Sequence, residues 1–464
     1  MSSRHLLVLT ALTSLFFTGG TEGTGRAGSI QGAAGQAARP DILADLLIKD
    51  DIQRLEARIA ASPKTAETVA YQGEVEYRKG RFEQADTFYR SALQMSEKTS
   101  RAHFGLGKLA MARMKTADAV KSFNRAIELD PKEPIYRFYI ADALSLTKKL
   151  KDAERQLQEY VKLNPADPDR LPMAKAALDI SAAFQGVEMG QMEAPAQPAP
   201  IRVQQMPLLP FLFAEVSING QGPFRFLVDT GATQTVLTPK VATKLGLKKI
   251  ATNIMFGIGG EGKVESPIYR ADSLKVGDVT VKNVPLGTIS NPLLELILDG
   301  VLGPNLLADF IITMDYPRSQ IELSRKAPEG GTVIPAWFLS GLLMIPVDVN
   351  GKHKGNFLID SGADSTLLAY SMANNLGVNK STPGATLDLP IGGIGGLDDG
   401  VLVVPAVNLK TPFETRQFER LMAIELKGMS SLIQTELSGV IGYDMLKNYR
   451  LTLDYHKAEI RLTK

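Results

Sequence analysis

The chain has 464 residues, of which 44% are hydrophobic and 22% charged, with a net charge of +2 and no cysteine. This length and composition are typical of a soluble protein of two to four domains. The near-neutral charge without a basic run argues against nucleic acid as a partner, and the lack of cysteine excludes disulfides and thiolate chemistry.

The N-terminus has the pattern of an export signal. Arg4 and His5 precede a 12-residue apolar run from Leu6 to Phe17, and small residues follow at 18–20. A membrane span needs about 20 residues, so we interpret residues 1–20 as a signal peptide and residues 21–40 as a disordered tail. The protein is then expected to be exported, periplasmic or extracellular, without a membrane span after cleavage. An uncleaved N-terminal anchor is the alternative.

Residues 41–185 are predicted to be helical. Apolar residues recur at near-helical spacing over residues 41–61, which predicts helical structure there. Small residues then recur every 34 positions, as Ala85, Ala119 and Ala153 show, and predict repeats over residues 66–99, 100–133 and 134–167. A capping helix is expected from about residue 171 to residue 184.

These repeats resemble tetratricopeptide repeats, since segments 80–85 and 126–131 match the family's turn and helix end. The resemblance implies an all-α domain with a concave surface that grips a protein partner or substrate. A passive spacer is the alternative.

The pattern changes after a Pro-rich linker over residues 186–204. Apolar residues then alternate with period two, which predicts mostly β structure. This β region is duplicated, because Asn219-Gly220 recurs as Asn350-Gly351 at an offset of 131, and later landmarks such as Gly303 and Gly442 at an offset of 139. We expect two similar lobes, residues 205–328 (lobe 1) and residues 329–464 (lobe 2).

Each lobe contains an apolar run that ends in the same triplet. The triplets are Asp229, Thr230 and Gly231 in lobe 1, and Asp360, Ser361 and Gly362 in lobe 2. A carboxylate at the end of a buried strand is costly unless it is paired, and the simplest partner is the other Asp. Two lobes related by a pseudo-twofold axis would bring Asp229 and Asp360 together, with Thr230 and Ser361 bonded across the axis.

Such a pair shares one proton over a broad acidic range, because two like charges cannot both form at short distance. The ionised carboxylate can take a proton from water while its protonated neighbour donates to a carbonyl oxygen. This chemistry hydrolyses a peptide bond without metal or cofactor, and none is expected. The four His residues lack metal-ligand spacing.

On these motifs, residues 205–464 resemble the aspartic proteases of the retropepsin type, duplicated in one chain. The segment 360–368 follows the active-site loop of that family, and segment 391–396 resembles its glycine-rich flap tip. The resemblance implies mostly β, barrel-like lobes, a peptide or protein substrate, and substrate contacts by Asp364, Ile258, Gly259, Ile394 and Gly395. Thr233 stands where lobe 2 has Asp364, so substrate contacts should be asymmetric.

Three further interpretations concern single features. Segment 257–262 formally fits G-x-G-x-x-G, but a Pro and an alternating pattern follow where a dinucleotide site needs a helix. Trp337, at the junction of the copies, is expected to pack between lobes. Ala232 and Ala363 stand where pepsins place a hydroxyl, which predicts an activity optimum less acidic than that of pepsin.

The sequence therefore predicts an aspartic endopeptidase with tetratricopeptide-like repeats. One alternative is a non-catalytic peptide-binding scaffold that keeps the fold. Another is a site shared between two chains, in which each lobe supplies half.

Overall fold

A computed structural model describes residues 42–206, 209–257, 263–291, 294–393 and 396–464. The predicted signal peptide and tail lie outside these residues. Within the described ranges, no helix combines the length and apolar character that crossing a bilayer requires.

The described residues from 42 to 183 form nine α-helices. They are α1 Ile42–Ile48, α2 Ile52–Ala60, α3 Ala66–Arg78, α4 Phe82–Met95, α5 Ser100–Ala112, α6 Thr116–Leu129, α7 Pro134–Leu146, α8 Leu150–Lys162 and α9 Arg170–Ala183.

The predicted helical segment over residues 41–61 contains two separate helices, α1 and α2. Asp50 adopts a left-handed backbone with φ of 55°. The side chain of Asp51 then accepts a hydrogen bond from the Arg54 amide at 3.2 Å and caps α2. A capping carboxylate competes with helix continuation, and this local choice is invisible in the apolar period.

The repeats, helices α3 to α8, are held by small residues at helix crossings. A Cβ at Gly73 would lie 2.6 Å from the Tyr89 ring, and one at Gly107 would lie 2.4 Å from Phe123. Both contacts join a helix to the next. Gly107 lies 34 positions after Gly73, and Phe123 lies 34 positions after Tyr89. The repeat spacing therefore reflects the close packing of helix pairs.

A buried ion pair crosses the first two repeats. Lys108 Nζ lies 2.6 Å from Glu74 Oε2, and Tyr89 donates to the same carboxylate at 2.9 Å. Burial lowers the pKa of Lys108 to about 8. Burial alone would raise the pKa of Glu74, but the charges of Lys108 and Arg101 outweigh it and lower that pKa overall.

Glu74→Ala is expected to destabilise the repeats by about 3–5 kcal/mol, because it leaves the Lys108 charge buried without its carboxylate. Chemical unfolding followed by circular dichroism measures the change. Glu74→Leu combined with Lys108→Met is the control and should recover most of the loss, since it removes both charges at similar volume. A single variant as stable as the parent would contradict the prediction.

The region from residue 191 onward is sheet-rich and contains 23 strands among the described residues. Those up to residue 324 are β1 Gln191–Glu193, β2 Ile201–Arg202, β3 Gln204–Met206, β4 Leu209–Ile218, β5 Gln221–Val228, β6 Val236–Leu237, β7 Lys248–Phe256, β8 Lys263–Val276, β9 Val279–Thr288, β10 Gly300–Leu302, β11 Ile311–Asp315 and β12 Gln320–Ser324. Those that follow are β13 Thr332–Pro335, β14 Trp337–Leu339, β15 Leu342–Val349, β16 His353–Ile359, β17 Leu367–Ala369, β18 Thr386–Gly393, β19 Gly396–Lys410, β20 Thr415–Ile424, β21 Gly439–Ile441, β22 Arg450–Asp454 and β23 Glu459–Thr463.

Four short helices lie among these strands: α10 Pro239–Lys244, α11 Tyr370–Asn375, α12 Lys427–Ile433 and α13 Tyr443–Leu446. The strand β1, which falls within the predicted linker, pairs with β9, and β2 pairs with β12.

The two lobes share the order of their central strands. In lobe 1, β5 pairs in parallel with β10, and β10 pairs with β6. In lobe 2, β16 pairs in parallel with β21, and β21 pairs with β17. The predicted fold class is thus confirmed: helical repeats precede a duplicated, mostly β region.

A shared sheet joins the lobes, in the order β13-β23-β22-β11-β12-β2. Thr313 of β11 pairs with Thr452 of β22, and their hydroxyls are 2.8 Å apart. These residues are 139 positions apart, the offset that relates the later parts of the two lobes. A pair of equivalent residues facing each other locates the pseudo-twofold axis between them.

Candidate active site

Two strands deliver a carboxylate each to the same place. Asp229 follows β5 and donates its amide to the Leu302 carbonyl at 3.1 Å, and Asp360 follows β16 and donates to the Ile441 carbonyl at 3.1 Å. The strand before each of them ends in three apolar, buried residues. Each Asp is therefore fixed at the end of a parallel strand pair in its own lobe.

A tight turn aims each carboxylate. The Gly231 amide donates to Asp229 Oδ1 at 2.7 Å, and the Gly362 amide donates to Asp360 Oδ1 at 2.8 Å. Each glycine also lies against the opposite loop: a Cβ at Gly231 would be 2.6 Å from Asp360 Cγ, and one at Gly362 would be 2.6 Å from Asp229 Cγ. The two carboxylates thus meet where only glycine leaves room.

Reciprocal hydrogen bonds join the two loops beneath the carboxylates. The Thr230 amide donates to Ser361 Oγ and the Ser361 amide donates to Thr230 Oγ1, each at 3.0 Å. Each hydroxyl in turn donates to a carbonyl of the other lobe, Thr230 to Ile359 and Ser361 to Val228, both at 2.8 Å. Thr230 and Ser361 are 5% and 1% exposed, so water does not compete with these bonds.

The site favours protonated carboxyl groups. Burial raises the pKa of Asp229 above its ordinary value. Burial raises the pKa of Asp360 well above its ordinary value, and the charge of Asp229 adds to the effect. Asp360 is 7% exposed whereas Asp229 is half-buried, so Asp360 is the better holder of the shared proton.

Sequence reasoning missed a supporting pair in each lobe. Thr366 donates its amide and its hydroxyl to Asp444 Oδ1, at 2.8 and 2.7 Å. In lobe 1 the hydroxyl of Thr235 lies 3.0 Å from Asn305 Oδ1. Thr235 and Thr366 obey the offset of 131, and Asn305 and Asp444 that of 139, so a systematic comparison of the copies could have found them.

The predicted substrate contacts are only partly within the described residues. Asp364 is half-buried in the lobe 2 loop, and burial raises its pKa, with a further contribution from the charge of Asp444. The hairpins β7–β8 and β18–β19 carry the two predicted flap segments. Their tip residues Ile258, Gly259, Ile394 and Gly395 lie outside the described residues.

Other ligand chemistry has little support. Strand β8, and not a helix, follows segment 257–262, so the context of a dinucleotide site is not met. In the described part of the chain, no three His, Asp and Glu side chains are grouped as metal ligands.

Comparison with known families agrees with this geometry. Residues 214–308 and 345–406, which include both Asp triplets, match the aspartyl protease family. Overlapping segments 71–134 and 104–168 match the tetratricopeptide repeat. The chain therefore combines tetratricopeptide repeats with an aspartyl protease-like domain.

Similar solved structures come from both classes. The type III secretion chaperone SycD of Yersinia enterocolitica, in an alternative dimer, is 22% identical over 27% of this chain and 98% of its own, with a TM-score of 0.25. The same chaperone in complex with a peptide of the translocator YopD is 23% identical over 26% of this chain and 96% of its own, with a TM-score of 0.24. An aspartic proteinase from Irpex lacteus is 11% identical over 57% of this chain and 97% of its own, with a TM-score of 0.36. No curated protein sequence matches the chain.

Proposed function

We propose that this protein is an aspartic endopeptidase in which Asp229 and Asp360 activate a water molecule. One observation carries the proposal: two carboxylates from matched loops face each other, and each accepts a glycine amide, Gly231 or Gly362, at 2.7–2.8 Å. Both come from one chain, so a second copy is not required for the pair.

The mechanism follows from the unequal environments of the two carboxyl groups. The ionised Asp229 accepts a proton as the water oxygen bonds to the scissile carbonyl carbon, and the protonated Asp360 donates to the carbonyl oxygen. The tetrahedral intermediate then collapses as the C–N bond breaks. The amide nitrogen receives the proton that Asp229 took from water, and a hydroxyl proton of the intermediate returns to Asp360 as the carbonyl forms again. The links between Thr230 and Ser361 hold the two carboxyl groups in place through these steps.

The repeats and the N-terminus extend the proposal. The tetratricopeptide repeats would recruit a protein partner or the substrate itself, in line with their family match over residues 71–168. The signal-like pattern of residues 1–20 supports export. The proposed division of the rest is a linker over residues 186–204, lobe 1 over residues 205–328 and lobe 2 over residues 329–464.

Cleavage of an unfolded protein at about pH 3 to pH 7 tests the proposal. The raised pKa values of Asp229 and Asp360 imply that the singly protonated pair forms at higher pH than ordinary carboxyl groups would allow. Activity should therefore rise as Asp229 ionises and fall as Asp360 also ionises, with an optimum above that of pepsin. Mass spectrometry of the products measures the rate.

An optimum near pH 2 would contradict the assigned environments. Peptide binding without cleavage at any pH would instead favour the non-catalytic scaffold.

A further inference from the structure

A contact between the repeats and lobe 2 centres on Trp337. Its ring lies 4.4 Å from the Phe82 ring and 3.2 Å below the guanidinium carbon of Arg113. Arg113 Nη1 also donates to the Ala336 carbonyl at 3.1 Å. The expectation that Trp337 packs between the lobes is therefore wrong, because its ring contacts helices α4 and the end of α5.

Trp337 begins a hairpin that reaches the candidate active site. Its strand β14 pairs with β15, and the turn between them contains Ser340 and Gly341. A Cβ at Gly341, whose φ is 92°, would lie 3.7 Å from Thr233 Cα. Thr233 stands four residues after Asp229, so this turn of lobe 2 lies against the active-site loop of lobe 1.

The repeats are well placed to hold this hairpin, because other bonds fix them on lobe 2. Thr435 Oγ1 donates to the Tyr77 carbonyl at 2.7 Å, and the Glu436 amide donates to the Arg78 carbonyl at 2.7 Å. Asn356 Nδ2 donates to the Gly80 carbonyl at 2.9 Å.

Apolar packing reinforces these bonds. Residues of the repeats and of lobe 2 belong to one hydrophobic cluster, which includes Phe82, Tyr89, Leu339, Met344 and Leu358. Movement of the repeats relative to lobe 2 would break this cluster.

We propose that the repeats are a structural part of the catalytic unit and that Arg113 is a positioning residue for the active site. By stacking on Trp337 and bonding to Ala336, Arg113 holds strand β14, and the turn at Ser340 and Gly341 then supports Thr233. The inference rests on the proposed protease function. It adds that a residue of the tetratricopeptide repeats controls how substrate lies beside Asp229.

The chemistry of Arg113 suits this role. A guanidinium stacks flat on an indole while it donates in its own plane, whereas a Lys ammonium is a compact charge that cannot do both. The side chain is partly shielded from solvent, and its ion pair with the exposed Glu83, at 3.9 Å, is weak. Stacking on Trp337 and the hydrogen bond to Ala336 are therefore its main interactions with the described residues.

The test measures peptide cleavage by the full chain carrying Arg113→Ala. We expect kcat/KM to fall about 5- to 50-fold, mostly through KM, because small displacements of substrate-facing groups are costly. The preferred cleavage sites should also change, while the pH profile set by Asp229 and Asp360 should not. Arg113→Lys should fall between the parent and Arg113→Ala.

Two control variants match this substitution. Lys148→Ala removes another contact between the repeats and the sheets, at 2.8 Å to Asp309, and should change kcat/KM by no more than about twofold. Glu83→Gln removes the weak ion pair of Arg113 and should behave like the parent. If Arg113→Ala folds poorly, Trp337→Phe takes its place in the test. It keeps an aromatic ring at this position and should shift KM and site preference in the direction expected for Arg113→Ala.

Hydrogen exchange of residues 229–237 gives a readout that needs no activity, and exchange should speed up in Arg113→Ala but not in Lys148→Ala. An Arg113→Ala protein with the parent's KM, site preference and loop exchange overturns the inference while leaving the protease proposal intact. A parent that does not cleave any substrate overturns the proposed function instead, and loop exchange then still decides whether Arg113 positions the loop.

Discussion

Asp229→Asn and Asp360→Asn are each expected to lower kcat at least about 10³-fold, because each removes one half of the acid–base pair. In the proposed mechanism the two carboxyl groups act as a unit, so the double variant should be little worse than either single variant. Cleavage of an unfolded protein, measured in single-turnover and steady-state assays, provides kcat for each variant.

Stability measurements separate this loss from unfolding. The pKa of Asp360 is raised well above its ordinary value in the folded protein, so its ionisation opposes folding. This penalty is absent below the unfolded pKa of about 4 and grows as the pH rises through the folded pKa. Asn carries no such charge, and Asp360→Asn should therefore be at least as stable as the parent at neutral pH.

Cleavage that persists in either variant would exclude a shared pair. An Asp360→Asn protein that loses both activity and stability at neutral pH would argue that the carboxyl group is structural rather than catalytic.

The fold could be predicted because both halves of the chain repeat themselves. An offset of 34 shows where helices cross, since Gly73 and Gly107 fill the same position beside Tyr89 and Phe123. Offsets of 131 and 139 likewise identify two lobes, and a pair of Asp residues in matched triplets has one simple geometric solution. Periodicity and internal symmetry are visible in the amino-acid sequence, so the helix crossings, the two lobes and the Asp pair could all be predicted from it.

Features that depend on a single side chain could not be predicted in the same way. The break between α1 and α2 depends on the cap made by Asp51. The position of Trp337 depends on Arg113, which lies 224 residues earlier in the chain. No pattern in either segment marks the other as its partner, because the contact arises only once the repeats and lobe 2 have folded.

The same symmetry explains why one triplet has Thr230 and the other Ser361, while the hydrogen bonds between the two loops are equivalent. Thr230 and Ser361 each contribute one amide donor and one hydroxyl to a reciprocal pair, so Thr and Ser are interchangeable in this role. Thr233 and Asp364 are not interchangeable, since one is apolar in part and the other carries a titratable group whose pKa is raised by burial. The first difference in side-chain chemistry between the two loops therefore lies beyond the triplets.

Gly362→Ala is expected to reduce kcat/KM at least about 100-fold, because misplacing one catalytic group by a fraction of an ångström has effects of this order. A Cβ at this position would lie 2.6 Å from Asp229 Cγ and 2.7 Å from its Oδ1. The loop around Gly362 cannot move away without breaking the hydrogen bonds of Ser361 to Thr230 and Val228. The added methyl group must therefore push the two carboxyl groups apart. Gly231→Ala should have a similar effect from the other side, since its Cβ would meet Asp360 at 2.6 Å.

Gly331→Ala is a matched control, because its Cβ would meet Thr463 Cγ2 at 2.5 Å, outside both the repeats and the active-site loops, and should destabilise the protein without displacing Asp229 or Asp360. Thermal unfolding and kcat/KM, measured on all three variants at a temperature where each is folded, separate the two kinds of loss. Gly362→Ala should lose activity out of proportion to stability, whereas Gly331→Ala should do the reverse. Equal activities for folded Gly362→Ala and the parent would mean that the two carboxyl groups do not need to meet for cleavage, and the shared-proton mechanism would then have to be abandoned.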